Sequence, residues 1–381
     1  MFICSQPLDK KNASVDLEIE LKNEEDRKCE FELIAEVELS EKKVSSMGEK
    51  VFISSGEGKK IFLKTNLKNP QLWSLEKPVL YKLNLFISEK GKIIDELKIP
   101  FGIRKVEIKG FKFLLNGKSV FLKGINRHEE YYGTGRVDKK NILKYDMELI
   151  KGMGANIVRI HYPFEKRFYE LADEMGLLTF AEIPYWQVGV KDIKEFTSPE
   201  VMENAKKQLE NLVRELKNHP SVVIYSVGNE CASETEEGRS AIKELIDYTK
   251  KLDPTRPVTY TSRSKTSCKS YDLVDFISEN LYFDMDSEGL NKILDEIHAL
   301  QPEKPILITE FGCDAIKGIS GNTRGSEKYQ AEVIKKNWEV FLSKKYIIGA
   351  ILWCWADYWH QPMRTDLNLC FLNNLNHFLE A

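Results

Sequence analysis

The chain has 381 residues, a length at which one hydrophobic core gives way to a large domain accompanied by a smaller one. Hydrophobic residues make up 42% and charged residues 30%, as in a globular protein, and a net charge of −3 supplies no field for nucleic acid or an acidic membrane. Seven cysteines lie far apart, without C-x-x-C pairs or His partners at metal-ligand spacing, which reads as reduced thiols in a cytoplasm with no metal or cofactor. The longest apolar run, 346–356, is too short to span a bilayer, so membrane insertion is not expected.

In chain order, short β-like runs come first: VDLEIEL, CEFELIAEVEL, KKIFLKT, VLYKLNLFI and DELKIPF, between residues 15 and 103. Their period-two alternation and the charged or Gly-containing turns between them predict a small antiparallel sandwich, assigned to residues 1–108. After Gly110 the pattern changes to apolar strands alternating with longer amphipathic segments, which is α/β grammar. The strands are FLKGINRH (121–128), NIVRIHYP (156–163), LLTFAEIP (177–184), VVIYSVGNE (222–230), PVTYTS (257–262), FISENLYF (276–283), PILITEFG (305–312) and GAILWCWAD (349–357). Helices are predicted over 138–153, 199–217, 234–252 and 327–343, several preceded by Ser, Asp or Thr caps. Eight strands and the lack of a Gly-rich phosphate loop favour a (β/α)8 TIM barrel over a doubly wound sheet, and the barrel is assigned to residues 109–381.

Most of these strands end in polar or aromatic residues: Asn126, Arg127 and His128; Arg159 and His161; Glu182; Asn229 and Glu230; Asn280 and Tyr282; Glu310; Trp353 and Asp357. The C-terminal strand ends of a barrel form its active-site face, so these groups should converge on one cup. Two carboxylates, in SVGNE and LITEFG, stand at apolar strand ends with aromatics nearby. Acetal cleavage needs such a pair, one to protonate the leaving oxygen and one to stabilise or attack the anomeric carbon. Strict alternation would send Asn229 and Glu230 to opposite faces, so an irregularity is predicted at that strand end.

The motifs NPQLWSLEKPVLYKL, FGIRKVE, LKGINRHE, NIVRIHYP, NHPSVVIYSVGNE, LDPTRPVTY, NLYF, ITEFG and ILWCWADY occur in that order. On them the chain resembles glycoside hydrolase family 2, the β-galactosidases, β-glucuronidases and β-mannosidases. The resemblance implies an immunoglobulin-like sandwich before the barrel and a retaining exo-β-glycosidase acting on a β-linked oligosaccharide or glycoside. It implies Glu230 as acid/base, Glu310 as nucleophile, Asn229 on the sugar 2-hydroxyl, Tyr282 and Arg159 on the nucleophile, and His128, His161 and Trp353 lining the sugar subsite. A raised pKa at Glu230, with charged Arg159 beside Glu310, would separate the two roles. A non-proline cis peptide after Trp353 is also implied.

Trp186 and Trp355 match no fixed role in the family pattern, and packing and sugar stacking both remain open for them. Glu182 and Asp357 are candidates for orienting substrate, whereas Cys313 and Cys354 read as packing groups. The family's jelly-roll first domain has no counterpart ahead of the sandwich, and LCFLNNLNHFLEA leaves little for an eighth helix, so an open pocket and homo-oligomerisation through exposed apolar surface are open expectations. No N-x-K motif follows the eighth strand, which speaks against glucuronate, and Cys313 stands where the galactosidase branch has His. An endo-β-glucanase or mannanase, and a catalytically weak carbohydrate-binding protein, are the competing readings.

Overall fold

The computed structural model describes residues 1–131, 135–137, 142–186 and 189–356. Seven strands come first: β1 (Phe2–Pro7), β2 (Asn12–Lys22), β3 (Cys29–Leu39), β4 (Lys42–Ile53), β5 (Gly58–Lys68), β6 (Tyr81–Glu89) and β7 (Lys92–Phe101). They form two antiparallel sheets, ordered β1-β2-β5 and β4-β3-β6-β7. In β3, Phe31, Leu33, Ala35 and Val37 are buried while Glu30 and Glu32 are exposed, so the period-two pattern turns one face inward. That face meets Val15, Leu17 and Ile19 of β2 and Ile61, Leu63 and Leu67 of β5 in a separate core.

Both strands that sequence reading passed over, β1 and β4, are sheet edges. Edge position alone does not hide a strand, since β5 and β7 are edges too; KKVSSMGEKVFI of β4 buries only Val51 and Ile53 and lacks an alternating apolar pattern. The turn from β3 to β4 places Ser40 and Glu41 at φ 49° and 64°, the two left-handed positions of a type I′ hairpin, without the Asn-Gly signal that usually marks one.

A small antiparallel sheet of β8 (Val106–Ile108), β9 (Phe113–Leu115) and β10 (Lys118–Val120) leads into the barrel. The barrel strands are β11 (Leu122–Asn126), β12 (Ile157–Ile160), β13 (Leu178–Glu182), β14 (Val222–Asn229), β15 (Val258–Ser262), β16 (Ile277–Asn280), β17 (Ile306–Phe311) and β18 (Ile347–Leu352). All neighbours are parallel and β11 closes on β18, so each of the eight predicted strands is present, the last beginning two residues before its predicted start. The helices are α1 (Ile142–Gly152), α2 (Lys166–Met175), α3 (Ile193–Phe196), α4 (Pro199–Leu216), α5 (Glu236–Leu252), α6 (Ser287–Leu300) and α7 (Glu327–Ser343). Ser326, just before the predicted helix, caps α7 by accepting from the Tyr329 amide, and Thr235, one residue inside the predicted start, caps α5 by accepting from the Gly238 amide. Asp357 and the tail LCFLNNLNHFLEA, which leaves little for an eighth helix, lie outside the described residues. Among the described residues no helix is long and apolar enough to cross a membrane.

The sandwich meets the barrel at its N-terminal end. Trp73 is fully buried and packs with Phe113 and Leu115 on a floor that includes Leu122, Ile157, Leu178, Ile224, Phe276 and Leu307. Its indole Nε1 donates to the Asp173 carbonyl at 2.9 Å, and Arg104 donates to the Pro220 and Val222 carbonyls at 3.0 and 2.9 Å. Trp73→Phe strands that buried carbonyl and leaves a gap, so urea unfolding should show a midpoint lowered by about 1–3 kcal/mol of stability at unchanged slope. An unchanged midpoint would mean that the Trp73 seam contributes nothing to stability.

Candidate active site

At the C-terminal ends of the barrel strands the polar groups converge around Arg159, whose side chain is fully buried. Its Nη1 donates to Glu310 Oε1 at 2.8 Å and Asn126 Oδ1 at 3.0 Å, while Nη2 donates to Asn229 Oδ1 at 2.8 Å and Glu182 Oε1 at 3.2 Å. Burial opposes its charge, but Glu182 and Glu310 outweigh burial and raise its pKa. Glu182 is itself fully buried. Burial pushes its pKa up, but Arg159 and then His161 overcome that and hold it below the ordinary value. His161 bridges the two acids, with Nδ1 3.1 Å from Glu182 and Nε2 3.5 Å from Glu310.

Asn229 and Glu230 enter the cup together because β14 departs from regular geometry, as predicted. The β14–β15 register shifts between Ser226 and Asn229, and Glu230 lies in the left-handed region at φ 53°, a conformation that costs a non-glycine residue about 1–3 kcal/mol. Gly228 permits the bend, since a Cβ there would meet the Tyr185 carbonyl oxygen at 2.6 Å. Glu310 arrives by a second irregularity that sequence reading did not foresee. The β16–β17 register shifts between Glu279 and Asn280, and the β17–β18 register between Ile308 and Phe311.

Tyr282 donates its hydroxyl to Glu310 Oε2 at 2.8 Å. Burial of that hydroxyl end, then the nearby Glu310 charge, holds its pKa well above the usual phenol value although the residue as a whole is half-exposed. Asn280 donates to Glu230 Oε1 at 2.7 Å and is oriented by Thr309, whose hydroxyl donates to Asn280 Oδ1 at 2.8 Å. Three rings wall the opposite side: His128 and His161 stack with centroids 5.5 Å apart, and Trp353 stands edge-on to them at 5.4 and 5.1 Å. The Trp353–Cys354 peptide is cis, as the resemblance implied.

All eight predicted site residues, Glu230, Glu310, Asn229, Tyr282, Arg159, His128, His161 and Trp353, therefore share one cup. The carboxyls differ in setting. Glu310 takes two donors, one of them the Arg159 cation, whereas burial, then the Glu310 charge, raises the Glu230 pKa against the opposing pull of Asn280, Arg263 and Arg159. Among the described residues no group of three or more His, Cys, Asp or Glu is placed to hold a metal ion.

A family model described as glycosyl hydrolases family 2, TIM barrel domain, matches residues 106–373, and one described as glycosyl hydrolases family 2 matches residues 2–104. The chain belongs to glycosyl hydrolase family 2. This family-2 chain is 33% identical over 316 residues to the β-glucuronidase of Mus musculus, covering 79% of the chain and 48% of the relative. With the β-glucuronidase of Paenibacillus borealis it shares 30% over 325 residues, covering 79% and 54%. The solved β-D-glucuronidase of Dictyoglomus thermophilum superposes with a TM-score of 0.87 at 27% identity, covering 99% of this chain and 67% of that one. A galacturonate-bound family-2 β-galacturonidase from Eisenbergiella tayi gives a TM-score of 0.82 at 27% identity, covering 93% and 63%. The chain thus spans about half the length of the two curated β-glucuronidases.

Sequence reading missed two acid or base groups beside the cup. Arg263, one residue past β15, reaches Glu230 Oε2 with Nη1 at 3.2 Å. Glu279 faces away from the cup and accepts from the Lys265 amide at 2.8 Å and the Tyr271 hydroxyl at 2.6 Å. Burial pushes its pKa up to about 7. The S-R-S step after PVTYTS was the available signal for Arg263, whereas Glu279 sits in an alternating strand and gave none.

Two outcomes follow. Glu310→Gln removes the charge that raises the Glu230 pKa, so a carboxyl NMR titration should find Glu230 above the ordinary glutamate value in the wild type and lower in the variant; an upward shift would contradict this geometry. Arg159→Met leaves Glu182 buried beside an uncharged neighbour, and chemical unfolding should register a loss of about 3–5 kcal/mol.

Proposed function

We propose that this chain carries the active site of a retaining exo-β-glycosidase of the β-glucuronidase/β-galactosidase type. The observation that carries the reading is the difference in environment between Glu230 and Glu310 within one cup: a carboxyl with a raised pKa beside a carboxylate held by Arg159 and Tyr282. In this reading Glu310 attacks the anomeric carbon as Glu230 donates its proton to the departing glycosidic oxygen. A covalent glycosyl-enzyme results, and Glu230, now a carboxylate, takes a proton from the water that releases the sugar.

The surrounding groups suit these steps. Arg159 and Tyr282 engage both oxygens of Glu310 and fix its orientation for attack. Asn229 spends its Oδ1 on Arg159 and Asn280, which leaves its amide N–H groups for a sugar hydroxyl. The His128, His161 and Trp353 rings form a wall against which a pyranose ring packs. Family-2 membership and the β-glucuronidase names of the curated relatives support the class and make a β-glucuronide the first substrate to test.

A panel of aryl β-glycosides, with glucuronide, galacturonide, galactoside and mannoside arms, should release phenol in at least one arm. In that arm Glu310→Gln and Glu230→Gln should each lower kcat by about 10²–10⁴-fold, measured with the same leaving group. NMR of the first product should show the β-anomer. An α-anomer appearing first, or turnover that survives both substitutions, would rule out the mechanism.

A further inference from the structure

Strand order divides the cup into two sides. His128, His161 and Trp353 follow the ends of β11, β12 and β18, and Glu310 belongs to β17 beside β18, so the proposed sugar site lies there. Across the cup, β14 ends in Glu230, flanked by Trp186 beyond β13 and Arg263 beyond β15. A leaving group that takes its proton from Glu230 lies over that flank. Trp186 is 47% exposed and its backbone is bridged to Asn229, so an open aromatic side chain stands beside the acid/base position.

Glu230 divides its oxygens between two partners. Asn280 donates to Oε1 at 2.7 Å, and Arg263 Nη1 reaches Oε2 at 3.2 Å. The Arg263 side chain is 55% exposed, and among the described residues its ion pair is with Glu230 alone. The nearby Glu234 carboxylate is engaged by the Ser264 hydroxyl at 2.9 Å. Lys265, on the same loop, holds its ammonium 4.9 Å from the Phe283 ring centre and adds a second cation to this rim. The other charged or titratable groups facing Glu230 are Glu310 from β17, Arg159 from β12, Tyr282 beyond β16 and Glu279 behind β16, so Arg263 is the cation of the set that reaches solvent.

A general acid holds its proton until the leaving oxygen takes it. With Glu230 protonated, Arg263 faces a neutral carboxyl, and its other N–H donors, on a half-exposed side chain, hold no hydrogen bond among the described residues, so a planar fork that matches a carboxylate is available. Taking Glu230 as the acid/base, as proposed above, we infer that Arg263 is an aglycone-side specificity residue that receives a carboxylate on the leaving group, making glycosides with acidic aglycones the preferred substrates.

The test compares phenyl and para-carboxyphenyl thio-β-glucuronide by titration calorimetry, because a sulfur linkage resists hydrolysis and affinity is read without turnover. Wild-type protein should bind the carboxyphenyl compound about three- to tenfold more tightly, and added salt should shrink that ratio. The ratio should fall to near one in Arg263→Gln and take an intermediate value in Arg263→Lys, which keeps the charge and loses the fork. Equal affinities in the wild type, absence of binding by both compounds included, overturn the proposal, as does a preference that survives in Arg263→Gln or ignores salt. If the preference is present and the parent O-glycosides are not hydrolysed, the Arg263 site stands and the proposed activity falls.

Discussion

One buried guanidinium organises the cup. A charge withdrawn from water is tolerable only when countercharges and acceptors surround it, and Arg159 gathers them from four other strands: Asn126 of β11, Glu182 of β13, Asn229 of β14 and Glu310 of β17. Each of these contacts fixes one feature of the cup. Glu310 is held in one orientation, the Asn229 amide is turned with its oxygen toward the protein, and Glu182 is kept charged beneath His161. His161 reaches both acids that share this arginine, which ties one ring of the cup's aromatic wall to the same network.

The two ends of the barrel obey opposite rules. At the floor, Trp73, Phe113 and Leu115 seal the strand starts with apolar side chains, and backbone carbonyls there are met by Trp73 and Arg104. At the top, strand regularity is given up. Both carboxylates reach the cup where a strand register slips, on β14 and on β17, and the left-handed backbone at Glu230 ends its strand abruptly. Regular strands would send every second side chain outward to the helices. The slips place Asn229 next to Glu230 and Thr309 next to Glu310 in adjacent roles.

The separation of Glu230 and Glu310 into different electrostatic settings follows from this arrangement. Glu310 lies against Arg159, whereas Glu230, at the end of β14, has the Asn280 amide and a half-exposed Arg263 as neighbours. Burial therefore weighs more heavily on Glu230 than charge pairing does. Identical side chains thereby meet different surroundings, and in those of Glu230 the pKa is raised.

Much of this was legible in the residues alone. Apolar stems ending in polar or aromatic groups, found in most of eight successive strands, announce a barrel and its functional face, since a strand buried on both sides must be apolar along its length and polar only where it emerges. N-E and T-E-F-G at two of those ends marked the carboxylates, and alternation already demanded a break at Asn229–Glu230. Local pattern is silent where partners are distant. The edge strands β1 and β4 bury too little to alternate, the slip that turns Glu310 inward depends on neighbouring strands, and Glu279 looks like any strand residue until its burial is seen. The sequence by itself determined which groups stand at the strand ends, because hydrophobic periodicity is a property of the chain. Only the tertiary structure decided which of them share one cation and which acid is left with Arg263, because electrostatic environment is set by contacts between residues far apart in sequence.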